Sequence, residues 1–209
     1  MAVALLCACA YAQQPAPSAR EMAQRVDHHY NTLKSLKAQF SESYQGLGIK
    51  RVESGTLYLQ KPGRMKWEYS APPGKVFVLD GKTAWFYSTG EPQVQRIPAK
   101  ELDDLRSPLR FLLGHTELEK ELNTLTLAPR PEGEFMLSGQ PKGLENRVRD
   151  ISLNVTPEGA ITGMTIEEMD GAMTRFSFTM QQPNTALPGE TFRFTPPKGV
   201  PVVDAPPPV

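Results

Sequence analysis

The sequence predicts a mainly β protein: one large antiparallel sheet, curled around a hollow, with one long helix near the N-terminus. Three observations lead there. Runs of alternating apolar and polar residues recur along most of the 209 residues, parted by turns rich in glycine, proline and aspartate. Apolar residues at sustained helical spacing occur near the start, at Met22, Val26, Tyr30 and Leu33. One helix and one short helical insert are too little to cover both faces of a many-stranded sheet, so an apolar face is left to close over a cavity.

The elements follow in order. Residues 1–12, MAVALLCACAYA, are apolar and end in Ala10-Tyr11-Ala12, which reads as a secretory signal peptide and its cleavage site. Both cysteines, Cys7 and Cys9, fall inside it, so the mature chain is expected to hold no thiol. The alternative makes Cys9 a poor lipidation site and the protein membrane-anchored. Residues 13–17 form a linker, 18–203 the folded domain and 204–209 a disordered proline-rich tail. Ser18-Ala19-Arg20-Glu21 fits a capping box at the start of the helix.

Lys37 to Tyr44 and Lys50 to Gln60 read as an antiparallel pair turning at Gly46-Leu47-Gly48. Arg64 to Tyr69 alternates, with Met65, Trp67 and Tyr69 on one face and Arg64, Lys66 and Glu68 on the other. Ala71-Pro72-Pro73-Gly74 turns the chain into Val76-Phe77-Val78-Leu79. Asp80-Gly81 reads as a two-residue type I′ hairpin turn leading to Thr83–Tyr87. Gln93 to Ile97 is one more strand. Ser107-Pro108 opens a short, almost wholly apolar helical insert with Leu109, Phe111, Leu112 and Leu113. Thr116-Glu117-Leu118-Glu119 fits a second capping box. Strands then resume at Thr124–Ala128, Glu134–Ser138, Arg147–Thr156, Ala160–Met169 and Met173–Gln181. The last places Phe176, Phe178 and Met180 on one face.

Charge and chemistry narrow the function. Lys+Arg and Asp+Glu are 23 each, which removes the electrostatic case for nucleic acid. No catalytic constellation emerges. His28 and His29 are neighbours on a helix and point about 100° apart. There is no G-x-S-x-G elbow. Asp103-Asp104 reads as a solvated pair, and Gly46-x-Gly48 lacks the strand–helix setting of a phosphate loop. The reading is therefore not an enzyme, with no cofactor and no metal site.

The stretch K-P-G-R-M-K-W-E-Y at 61–69, followed by D-G-K-T-A-W-F-Y at 80–87, resembles the signature region of the LolA family. F-R-F-T-P-P-K-G-V at 192–200 is a second match. The resemblance implies an incomplete, half-closed antiparallel β-barrel. A long N-terminal helix, Ser18 to Leu36, and a short helical lid, Ser107 to Leu113, would lie over an apolar cavity. It implies acyl chains held by Met65, Trp67, Tyr69, Val78, Leu109, Leu112, Leu113, Phe176, Phe178 and Met180. The family often has an arginine before the signature proline that ties the closed lid to the sheet. Here that place is Lys61, so the latch is expected at Lys61 or Arg64. The implied function is a monomeric periplasmic carrier of outer-membrane lipoproteins. Its partners would be an inner-membrane ABC-type release complex and an outer-membrane receptor lipoprotein. The alternative is an anchored lipid-binding receptor or envelope stress-sensing regulator on the same fold.

Overall fold

A computed structural model describes residues 16–100 and 117–204. The expected signal peptide, the leucines of the insert at 109, 112 and 113, and residues 205–209 lie outside the described residues. Helix α1 spans Ala19–Thr32. The strands before the gap are β1 Ser35–Gly46, β2 Ile49–Gln60, β3 Arg64–Ala71, β4 Pro73–Asp80, β5 Thr83–Ser88 and β6 Val94–Pro98. After it come the single-turn α2, Leu118–Glu121, then β7 Leu122–Pro129, β8 Phe135–Pro141, β9 Val148–Val155, β10 Ile161–Glu168, β11 Met173–Pro183 and β12 Val202–Asp204.

All of these strands join one sheet in the order β12-β6-β5-β4-β3-β2-β1-β11-β10-β9-β8-β7. Hairpins, together with the long-range antiparallel pairing of β1 with β11, make it antiparallel, except that β12 returns parallel to β6. The first and last strands of this order are edges, so the sheet is open. It is nevertheless curled. Trp67 on β3 and Phe176 on β11 stand three strand steps apart, roughly 14 Å on a flat sheet, yet their ring centroids are 5.7 Å apart.

The capping box at Ser18 forms as the sequence predicts. The Glu21 amide donates to the Ser18 hydroxyl at 3.2 Å, and the Ser18 amide donates back to the Glu21 carboxylate at 2.8 Å. Helix α1 ends at Thr32, short of Leu36, because Ser35 and Leu36 already pair with β2. Met22, Ala23, Val26 and Tyr30 bury its apolar face in the core formed by the sheet's inner side. The Asp80 turn departs from type I′. Gly81 has φ 99°, but Lys82 stays out of the left-handed region. The Asp80 carboxylate instead collects the Lys82 and Thr83 amides, each at 2.8 Å. The turn at Leu47-Gly48 does take positive φ at both residues, 50° and 77°.

The outer side of the sheet carries the C-terminal segment. After β11 it runs through a 3-10 turn, Gly189–Phe192, against β3 and β4. Phe192 is buried there, and Phe194 lies 5.7 Å from Trp85 and 6.4 Å from Tyr87. The segment ends in β12, where Asp204, assigned to the tail by sequence, accepts from Arg96 at 2.8 Å.

Candidate functional site

Strand register builds the inner wall in rows. Ala38, Leu57, Trp67, Phe77 and Phe86 are matched across β1 to β5. The next row is Phe178, Phe40, Gly55 and Tyr69. Gly55 has no side chain, and a Cβ there would come within 2.0 Å of the Glu68 carbonyl oxygen. Over this gap the rings of Phe40 and Tyr69 meet edge to face at 5.0 Å, and Phe40 meets Trp67 at 4.6 Å. Phe178 and Phe176 stand 6.2 and 5.7 Å from Trp67. The indole N–H of Trp67 donates to Met65 Sδ at 2.9 Å, so this polar atom of the aromatic wall has a soft partner. Trp67 is only 3 % exposed.

Met65, Trp67, Tyr69, Phe176 and Phe178 are thus brought together. Two other residues expected on this wall, Val78 and Met180, are not. Val78 opposes Lys66 across β3–β4, so it faces the outer side, toward the groove beside Phe194. Alternation alone shows that Val78 and Trp67 lie on different faces only once the register is known. Met180 should follow Phe176 and Phe178 inward. At that point β1 advances two residues, Lys37 to Gln39, while β11 advances three, Gln182 to Thr179. The extra residue is a bulge. Met180 takes φ 49° and is 78 % exposed. Arg64 also faces outward, its guanidinium 5.6 Å above the Phe192 ring. Lys61 Nζ donates to the Tyr30 carbonyl, placing a cation at the C-terminal end of α1, where the helix dipole favours it. Burial holds the Lys61 ammonium pKa below the usual lysine range.

Beyond the aromatic rows the wall turns polar. Glu42 and Glu53 sit directly opposite each other across β1–β2, on the same side as Phe40 and Leu57. Like charges so placed repel, and cations answer them. Lys75 Nζ lies 2.6 Å from Glu53, and Arg51 reaches Glu53 at 3.4 Å and Glu42 at 3.9 Å. The Tyr69 hydroxyl donates to Glu42 at 3.3 Å. Burial, the dominant cause, pushes the Glu42 carboxyl up, opposed by Lys75. Burial and the neighbouring Glu42 raise the Tyr69 phenol. Sequence reasoning passed over this cluster. The signal was present: Glu42 is in phase with Leu36, Ala38 and Phe40, and Glu53 with Leu57 and Leu59. A charge at an apolar phase is the mark of a buried polar site.

One groove, of about 620 Å³, opens between Leu33, Lys61, Pro62 and the Asn184–Leu187 turn. Another, about 350 Å³, runs beside Val78, Arg193 and Phe194 and is also bordered by Tyr69 and Lys75.

Fold and wall together define the class: an open antiparallel half-barrel with an aromatic inner face and a helix laid across it. The same fold is seen in an uncharacterised conserved protein from Thermus thermophilus, with TM-score 0.57 and 16 % identity over 90 % of this chain and 99 % of that one. The model of the family described as outer membrane lipoprotein carrier protein LolA matches residues 31–195. The chain belongs to the LolA family. It is 31 % identical to an outer-membrane lipoprotein carrier protein of Chromobacterium violaceum over 90 % of each chain. It is also 31 % identical to one from Proteus mirabilis, over 96 % of this chain and 97 % of that relative.

Proposed function

We propose that this protein is a periplasmic carrier that shelters the acyl chains of lipoproteins and moves them from the inner to the outer membrane. The observation that carries the reading is the inner wall. Met65, Trp67, Phe40, Phe176 and Phe178 come from β1, β3 and β11 and converge on one buried surface with no charge among them. Membership of a lipoprotein-carrier family supports reading this surface as the seat of the acyl chains.

The work is physical transfer without bond chemistry. Each methylene taken from water is worth about 0.8 kcal/mol, so a long acyl chain left in water costs on the order of 10 kcal/mol. Aromatic and thioether side chains replace that water with adaptable contacts. In this structure the wall is closed off from solvent, so a load must displace contacts the protein makes with itself. That lowers net affinity and allows release. Direction then comes from successive partners, an inner-membrane ABC-type release complex and an outer-membrane receptor lipoprotein, each step running toward tighter binding.

Native mass spectrometry of protein purified from the periplasm tests this. Wild type is expected to carry a lipoprotein or its acyl moiety. Met65→Glu, which sets a carboxylate beside Trp67, is expected to emerge empty with an unchanged circular dichroism spectrum. A wild-type protein with no load, or a folded variant as loaded as wild type, overturns the reading.

A further inference from the structure

We propose that Lys75 is a recognition residue for acyl-ester carbonyls, seated where the aromatic wall meets its polar end. The inference rests on the carrier reading and adds to it the chemistry of the chain's head. The β3–β4 register shifts beside Lys75, but its ammonium reaches Glu53, which is in phase with Leu57 on the inner face of β2, so Lys75 faces the inner side. Its side chain is only 14 % exposed, an unusual place for a lysine. The ammonium lies 4.2 Å above the Tyr69 ring and 5.9 Å from the Phe86 ring.

An ammonium has three donors and no acceptor. Among the described residues Glu53 is the acceptor that Lys75 reaches, at 2.6 Å. Aromatic faces attract the charge without taking a conventional hydrogen bond. Two donor directions are thereby left for a guest. An acyl chain laid along Phe176, Phe40 and Trp67 brings its ester oxygens out of water with it. Such a carbonyl accepts only, and it is costly to bury without a donor. The row beyond the aromatics is where its head falls, and Lys75 supplies a charged donor there. Glu53 holds the ammonium in place, and Arg51 balances the second carboxylate.

Ester carbonyls occur both in the diacylglyceryl group of a lipoprotein and in phospholipid, so the test uses both. Each probe is made as a diester and as its diether, which keeps the chains and removes the carbonyls: a diacylglyceryl-cysteine peptide and a phosphatidylethanolamine. Wild type is expected to bind the diester of at least one pair roughly tenfold more tightly than the diether, the worth of one charge-assisted hydrogen bond. Lys75→Met keeps the apolar stem and is expected to erase that preference, leaving diether affinity within about twofold. Lys75→Met with Glu53→Gln removes both charges, so that no orphaned carboxylate unfolds the protein, and should behave likewise. Loss of preference in the peptide pair supports the proposal with lipoprotein as the source. Loss confined to the phospholipid pair supports it with membrane lipid as the source. Equal wild-type binding of diester and diether, or a preference that survives in both variants, overturns it. Failure of wild type to bind any of the four probes instead removes the carrier reading on which it stands.

Discussion

Tyr30 joins three parts of the chain. Its carbonyl accepts from Lys61, and its hydroxyl accepts from the Ile161 amide at 3.1 Å. Burial pushes its phenol from 10.0 up to about 12, against the opposing effect of the Ile161 hydrogen bond. Between those values the unfolded chain gives up the proton and the folded chain keeps it. The stability Tyr30 contributes is therefore whole below about pH 10 and lost as pH rises through about 12. Tyr30→Phe leaves the Ile161 N–H without its acceptor, and is expected to cost about 1–3 kcal/mol at neutral pH. The gap between wild type and variant should narrow as pH climbs through that window. Urea midpoints measured at each pH check both effects, and parallel curves would contradict the assignment.

At the scale of elements, the seating of α1 on the β9–β10 turn depends on a missing side chain. Gly159 has φ 90°, and a Cβ there would come within 2.4 Å of the Arg25 carbonyl carbon and oxygen. The Arg25 guanidinium donates to the Pro157 carbonyl at 2.9 Å across the same contact. Gly159→Ala meets backbone on one side and a disfavoured φ on the other, for an expected loss of about 2–4 kcal/mol. Guanidinium unfolding measures that loss. Hydrogen exchange should show α1 amides losing protection before those of β1 and β2, and uniform loss over the whole sheet would argue against a local seat. The start of α2 makes a related point. Sequence predicts a capping box at Thr116. Thr116 lies outside the described residues; within them, the Leu118 amide donates to the carboxylate oxygens of Asp27 on α1, at 3.1 and 3.2 Å. A cap 91 residues away in sequence cannot be seen in a local window.

For the molecule as a whole, the C-terminal segment closes the outer side. Phe192 is 1 % exposed and stands under Arg64. Truncating it to alanine removes that anchor from β3 and β4, at an expected cost of about 3–5 kcal/mol. A thermal melt should show this as a clear fall in Tm. If the segment were merely draped on the sheet, the melt would not move. Because β12 completes the β6 edge after this segment, Arg96 and Asp204 depend on the same anchor.

The strands, the capped helix and most hairpin turns were legible because alternation, capping and turn chemistry are local and repeat every few residues. Parity also put Met65, Trp67 and Tyr69 on one face of β3, and Phe176 and Phe178 on one face of β11; that both faces look inward was implied by the family resemblance. Family-like motifs at 61–69, 80–87 and 192–200 pointed from there to the LolA fold. Tertiary structure alone decided the rest. One extra residue in β11 reversed the parity at Met180, and the register of β3 with β4 sent Val78 outward. The meeting of Glu42, Glu53, Tyr69 and Lys75 required three strand pairings at once. Periodicity reports which residues share a face; only the pairing of distant strands determines which face is inside and which charges meet on it.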